Sequence, residues 1–260
     1  MHIHFLGTCS GTEPMVGMHH CAWLFRIGDS VYWFDMGENC SHTAYTAGID
    51  LMDTRAIFVS HPHIDHVGGF ANFLFCVMKL MGRYKKTLRH GEIRLFFPDF
   101  TLLGAIKTVA TGRADGRLPF SLAENALSDG LLYEDENVRV TAMHNGHMGI
   151  PKEGEPYRSY SFLIEAEGKR IVFSGDVKTP SELDALLSCG ADLLIMETGH
   201  HRVADVCEYA RGKGVKALRL NHHGREIIEH REAVQREIDA YARESGMSIV
   251  LCCDGMREAL

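Results

Sequence analysis

Several familiar signals are missing from this sequence, and each absence removes a class of protein. No stretch rich in proline, serine or glycine interrupts the 260 residues, and their character does not change along the chain, so one domain over residues 1–260 is expected. No apolar run approaches the ~18 residues needed to span a bilayer. Even residues 70–80 are broken by Asn72 and Lys79, so no membrane anchor is expected. Residues 1–6 show no basic stretch, apolar signal core or small-residue cleavage site, and a cytoplasmic location is expected. The eight cysteines (Cys9, Cys21, Cys40, Cys76, Cys189, Cys207, Cys252, Cys253) never fall in a C-x-x-C spacing and sit mostly in apolar surroundings. They read as buried thiols in a reducing compartment rather than as a metal knuckle or disulfide framework. A basic excess is missing too: the net charge of −7 argues against general nucleic-acid binding, although a local basic groove is compatible with it. No internal repeat is visible.

What the sequence has in excess is histidine, 16 of them, set among ordinary globular proportions of 45% hydrophobic and 23% charged residues. Short apolar stretches bounded by turns occur at 3–6, 22–27, 31–34, 56–59, 93–97 and 138–142, and again at 161–166, 170–173, 191–196, 217–220 and 248–252. These read as strands, with Glu167-Gly168-Lys169 as a hairpin turn. Helical spacing links Val67, Phe70, Phe73, Leu74, Val77, Met78 and Met81, and later Ile227, Ile228, Val234, Ile238 and Tyr241. Many strands with helices between and after them predict an α/β protein of two packed sheets covered by helices, a four-layer αβ/βα sandwich. Residues 101–132 begin as a helix, pass Gly112, Gly116 and Pro119, and suggest a second weak helix over 122–127, with a lid or an oligomer contact as its use.

The strongest chemical signal is His61-Pro62-His63-Ile64-Asp65-His66, four metal-ligand types in six residues directly after an apolar strand. In extended chain, residues i and i+2 point the same way, so His61 and His63 can grip one ion. The turn into the next helix swings Asp65 and His66 toward a second. A helix cap would need only Asp65, and three imidazoles beside it would require partners for no structural return.

That motif, with Phe34-Asp35-Met36-Gly37 upstream, resembles the metallo-β-lactamase superfamily. The opening His4-Phe5-Leu6-Gly7-Thr8 and the Asp35-x-Gly37 turn are most similar to the branch of ribonuclease Z and the cyclic phosphodiesterases. The resemblance implies the metallo-β-lactamase fold over nearly the whole chain and further ligands at later strand ends. After the strand at 138–142 it offers His144 and His147, of which His147 fits the family spacing and His144 becomes a supporting or substrate-facing group. Ser174-Gly175-Asp176 resembles the bridging aspartate, and in Asn221-His222-His223 the phase selects His222. The implied metal ligands are therefore His61, His63, Asp65, His66, His147, Asp176 and His222, holding two divalent ions, with zinc first and manganese or iron compatible.

The implied chemistry is hydrolysis by a hydroxide bridging the ions, with Asp65 orienting or deprotonating it and Asp35 holding the histidine loop from behind. Met196-Glu197-Thr198-Gly199-His200-His201 lies where ribonuclease Z has a His-Glu-x-Thr motif, so Glu197, His200 and His201 are proton-donor candidates, Glu197 and His200 foremost. The histidine pair is equally readable as capping or solvated, as are His19 and His20. Met196 in place of histidine, and the short interval between His147 and Asp176, argue against tRNA 3′ processing. The expected substrate is a phosphodiester, a small molecule or short nucleotide, with a homodimer compatible. The rivals are a lactone, thioester or other carboxyl-derivative hydrolase and a non-catalytic metal-binding sensor. An iron redox role like that of flavodiiron proteins is disfavoured, because His63 stands where they resemble a glutamate pattern. The basic run Arg83, Lys85, Lys86 and Arg89 reads as a helix C-terminus favoured by the helix dipole rather than as a phosphate site.

Overall fold

The computed structural model describes residues 1–12 and 15–260. The chain forms two compact units, one of residues 1–8, 13–126 and 253–260 and the other of residues 9–12 and 127–252. The first holds β1 (His2–Gly7), β2 (Ala22–Ile27), β3 (Ser30–Phe34), α1 (Cys40–Thr46), β4 (Thr54–Phe58), α2 (Ile64–Val67), α3 (Phe70–Tyr84), β5 (Glu92–Phe97), α4 (Phe100–Thr111) and β6 (Ser121–Ala126). The second holds β7 (Gly130–Glu134), β8 (Val138–His144), β9 (Tyr160–Ala166), β10 (Lys169–Phe173), β11 (Leu193–Thr198), α5 (Val203–Gly212), β12 (Ala217–His223), α6 (Arg225–Ser245) and β13 (Ser248–Leu251). A last strand, β14 (Arg257–Ala259), returns to the first unit.

Each unit is built on a seven-stranded sheet, ordered β14-β1-β2-β3-β4-β5-β6 in the first and β13-β12-β11-β10-β9-β8-β7 in the second. Each sheet is antiparallel where hairpins join its strands and parallel where helices do, since parallel neighbours need a long crossover. Thus β2 and β3 pair antiparallel across a tight turn, whereas β4 and β5 pair parallel with α2 and α3 between them. In the second unit, β11, β12 and β13 run parallel with α5 and α6 as their connections.

Helix α3 turns Phe70, Phe73, Leu74 and Val77 inward to a cluster that includes Leu24, Trp33, Ile57 and Leu95 from the first sheet. The opposite face of that sheet carries an aromatic ladder. Trp23, Phe34, Phe58 and Phe96 are register partners on adjacent strands, with ring centroids 4.5, 5.0 and 5.0 Å apart, and all are buried. Such stacking holds register as well as burying area. Residues Ile64–Tyr84 are long and apolar enough to cross a membrane, but half of that span is buried inside the protein, as in a core helix. No cysteine is disulfide-bonded, and Cys9, Cys21, Cys40, Cys207 and Cys252 are buried.

The expected mixed α/β architecture, two sheets with flanking helices, is what the chain adopts. One element differs. Residues 122–127 were expected to be a weak helix, but 121–126 form β6, paired in parallel with β5 from Glu92↔Ser121 to Phe97↔Ala126. Local helix preference in Leu-Ala-Glu-Asn-Ala is outweighed by a full ladder against a buried strand.

Candidate metal centre

In the first unit the chain leaves β4 and enters the histidine motif, with His63 as the extended N-cap of α2 (φ −63, ψ 149). No side chain bonds at that cap, and Asp65 stands in the first turn. His61 Nε2 and His63 Nδ1 are 3.0 Å apart, the His61 and His66 rings are 4.0 Å apart, and His66 Nε2 is 3.4 Å from Asp65 Oδ2. The four motif residues are thus brought together, with His61, Asp65 and His66 buried and His63 exposed.

Asp35 organises them from behind. Its fully buried carboxylate accepts the Ser60 N–H at 2.7 Å and the Ser60 hydroxyl at 2.8 Å, and it meets His66 Nδ1 at 2.7 Å. Because Ser60 Oγ donates to Asp35, it accepts from His61 Nδ1 at 3.0 Å. The network assigns Nδ1–H to both His61 and His66 and aims their basic Nε2 atoms away from Asp35. Asp35 has left-handed backbone (φ 58), a strain expected at functional turns. Two residues on, a Cβ at Gly37 would lie 2.6 Å from the Asp65 carbonyl oxygen, so only glycine lets the two backbones touch.

In the second unit, Asp176 follows β10, only 2% exposed, and its two oxygens face different imidazoles. Oδ2 lies 3.6 Å from His147 Nε2 and Oδ1 lies 3.4 Å from His222 Nε2. His147 is fixed by Asn145, which accepts its N–H at 3.1 Å and donates to Ser161 Oγ at 3.1 Å. His222 has left-handed backbone (φ 51) near the end of β12.

The neighbouring histidines go elsewhere. His144 presents N and Nδ1 to the Asp129 carboxylate at 2.7 Å each, and its ring stacks on Tyr157 with centroids 3.8 Å apart. His223 Nε2 donates to the Cys252 carbonyl at 2.8 Å, and burial pushes its pKa down to about 4, so it stays neutral.

Glu197, at the end of β11, is 2% exposed. Its carboxylate accepts the His200 N–H at 2.9 Å and lies 3.1 Å from His200 Nδ1 and 3.3 Å from His201 Nε2. Burial alone would raise its pKa, but the two histidines outweigh it and hold the carboxyl well below the usual range. His200 Nδ1 also lies 3.9 Å from Asp176, and the ring meets those of His147 and His222 at centroid distances of 5.0 and 5.8 Å. His201 is turned inward, donating to the Val177 carbonyl at 3.0 Å, and its contact with Glu197 raises its pKa despite burial.

The remaining candidates have structural partners. Asp254 accepts from the His19 N–H and lies 2.8 Å from His19 Nδ1, and His20 is 3.4 Å from Glu38. Lys86 pairs with Asp50, Arg89 with Asp53, and Lys85 donates to the Gly82 carbonyl just past the end of α3. Sequence reasoning missed Ser60, Asn145 and Asp129. Nothing in their spacing marks them, although Ser60 directly precedes the motif.

The donor set fits divalent metal ions. Imidazoles and carboxylates suit zinc, manganese and iron. Two ligand atoms at ~2.0–2.1 Å on a tetrahedral ion stand ~3.3–3.4 Å apart. The His61–His63, His147–Asp176 and His222–Asp176 separations of 3.0, 3.6 and 3.4 Å bracket that value.

A family model described as "Anti-Pycsar protein Apyc1" matches residues 1–199. A relative named ribonuclease Z, from Shouchella clausii, is 25% identical over 280 residues, covering 85% of this chain and 86% of that protein. Among solved structures, the metallo-β-lactamase fold protein YhfI from Bacillus subtilis superposes with a TM-score of 0.76 at 16% identity, over 99% of this chain and 98% of that one. The short form of human tRNase Z (ELAC1) gives 0.72 at 20% identity, over 100% and 99%. The fold is that of the metallo-β-lactamases.

Proposed function

Because this chain belongs to the Anti-Pycsar protein Apyc1 family, we propose that it hydrolyses a phosphodiester with two divalent ions, zinc foremost. That it is a metal-dependent hydrolase accords with its relatives. The finer reading assigns His61, His63 and His147 to one ion and Asp65, His66 and His222 to the other, with Asp176 shared. The observation that carries it is the Asp176 carboxylate, buried, with one oxygen toward His147 and the other toward His222. A buried anion needs positive partners, and one oxygen per imidazole is how a shared carboxylate would serve two ions.

Divalent ions held by these residues would lower the pKa of a water toward neutrality, so that it could serve as the nucleophile, and would polarise the scissile oxygen. The protein's residues do the rest. Asp65 orients the nucleophile, while Asp35 holds His66 directly and His61 through Ser60. Glu197 holds His200 through its N–H and Nδ1, so the ring, when doubly protonated, gives its Nε2 proton to the leaving alkoxide and is left neutral with Nδ1–H on Glu197. The interval between His147 and Asp176 is a loop followed by the β9–β10 hairpin, which supports a small substrate over tRNA 3′ processing, as does Met196 at the position of the ribonuclease Z histidine.

The test is metal content by plasma mass spectrometry, paired with hydrolysis of bis-p-nitrophenyl phosphate and of a lactone panel after loading with zinc or manganese. About two ions per chain with phosphodiester turnover is expected. Two ions with only lactone or carboxyl-ester turnover replaces the substrate class, and protein that takes up no metal overturns the centre.

A further inference from the structure

A carboxylate outside the candidate ligand set bonds to both the loop that carries His147 and the loop that carries Asp176. Glu182 Oε1 accepts the N–H of Gly146, beside His147, at 2.8 Å. Its Oε2 accepts the N–H of Lys178, two residues past Asp176, at 2.8 Å and that of Thr179 at 3.4 Å. Glu182 is the third residue of a short 3-10 turn, Pro180–Leu183, whose capping box pairs it with Thr179, and the next residue, Leu183, is completely buried. The capping box accounts for the bond to Thr179. It does not account for the bond to Gly146, 36 positions away in sequence. Gly146 is fitted to that bond, because a Cβ there would stand 2.8 Å from Glu182 Oε1 and 3.7 Å from the Lys178 side chain.

We propose that Glu182 is a positioning residue that sets the distance between His147 and Asp176. Its two oxygens are rigidly linked, so the two backbone segments they bind are held at a fixed separation. The consequence is the 3.6 Å between His147 Nε2 and Asp176 Oδ2. Backbone N–H bonds to a carboxylate are shorter and stronger than neutral ones, and the one to Gly146 is partly buried. Asn145 fixes His147 within its own loop and reaches the Asp176 loop at one remove, through Ser161, whose hydroxyl donates to the Ser174 carbonyl at 2.5 Å. Glu182 joins the two.

The inference rests on the reading that His147 and Asp176 hold metal, and the experiment separates the two. Zinc affinity is measured by chelator competition, and metal-free thermal midpoints are recorded beside it, for wild type, Glu182→Ala, Glu182→Gln, Thr179→Ala, Gly146→Ala and the Gly146→Ala/Glu182→Ala pair. Outer-shell partners of ligands typically contribute 10- to 100-fold in metal affinity, so Glu182→Ala is expected to weaken zinc by about that factor. Glu182→Gln, which keeps one oxygen for Gly146 but loses the second acceptor, falls between. Thr179→Ala breaks the cap alone and stays within about threefold of wild type. Gly146→Ala weakens zinc on its own but adds little once Glu182 is gone, because both changes break one contact. Wild-type affinity in Glu182→Ala, an equal loss in Thr179→Ala, or full additivity in the pair overturns the proposal. A wild-type chain that binds no zinc overturns the functional reading instead.

Discussion

His66 Nδ1 lies 2.7 Å from Asp35 Oδ2, and neither side chain has any exposed surface. The Asp35 carboxylate also takes two donors from Ser60, so it ties both His61 and His66 to the strand-end turn. Asp35→Asn puts an N–H₂ among three donors. Metal affinity should fall about 10- to 100-fold. Stability should fall by roughly 3 kcal/mol, the scale of losing hydrogen bonds to a buried charge. Chelator competition and urea unfolding of the metal-free protein read the two effects separately.

Four histidines of the second unit, His144, His147, His222 and His223, divide into pairs. His147 and His222 face Asp176, whereas His144 and His223 face Asp129 and the Cys252 carbonyl. His147→Ala and His222→Ala should therefore each lose metal, and His144→Ala and His223→Ala should keep it. His223→Ala should nonetheless destabilise by about 2–4 kcal/mol, since it leaves a cavity and an unmatched buried carbonyl. Metal content of the four purified variants decides, and the opposite pattern would falsify the ligand assignment.

His200 is held by a buried carboxylate yet is 45% exposed at its side chain, a suitable posture for a proton donor. His200→Ala should lower kcat by about 10²–10⁴-fold on a substrate with an alkyl leaving group. The loss should be much smaller on bis-p-nitrophenyl phosphate, whose leaving group needs no proton. Equal losses on both substrates would assign His200 to binding or to metal geometry instead.

His4 in β1 is 7% exposed, its Nδ1 has no hydrogen-bond partner among the described residues, and burial with the charges of Arg257, His2 and Arg26 pushes its pKa down to about 4. Well above pH 6.5 neither state is protonated at this residue and nothing is lost. As pH falls below 6.5 the unfolded chain takes up a proton that folded His4 refuses until about pH 4, so stability declines across that window. The decline from His4 alone is at most about 3 kcal/mol. His223 contributes in the same direction. His4→Leu should flatten the slope of unfolding free energy between pH 6.5 and 4 without abolishing it, and an unchanged slope would show that His4 is not held neutral.

The strands were legible wherever the apolar run is dense. Residues 22–27 coincide with β2, and 170–173 and 161–166 miss β10 and β9 by one residue each. Residues 121–126 were not legible, because Ser-Leu-Ala-Glu-Asn-Ala lacks β-branched residues and becomes a strand only through its neighbour β5. β14 has three residues, Arg-Glu-Ala, and no pattern at all. The candidate donors stand out in the sequence because they are histidines and aspartates at strand ends, four of them in a compact motif, but the residues that hydrogen-bond to them do not. Ser60 and Glu182 act through hydrogen bonds whose partners are fixed by folding, and a serine or glutamate in sequence looks the same whether it faces water or a neighbouring loop.

The pairing of β14 with β1, His2 opposite Ala259, has a consequence for synthesis. The first unit's sheet cannot be finished from the residues that precede the second unit, because its edge strand and Asp254, the partner of Thr8 and His19, come from the far side of it. At ~5–20 residues per second, β1 would wait roughly 10 s after β6 is made before its neighbour leaves the ribosome. For that time its edge N–H and C=O groups stand open to any passing strand. Assembly of this chain is therefore a vectorial problem. Slow translation or a stalled ribosome lengthens the interval in which a nascent copy can pair with the wrong strand.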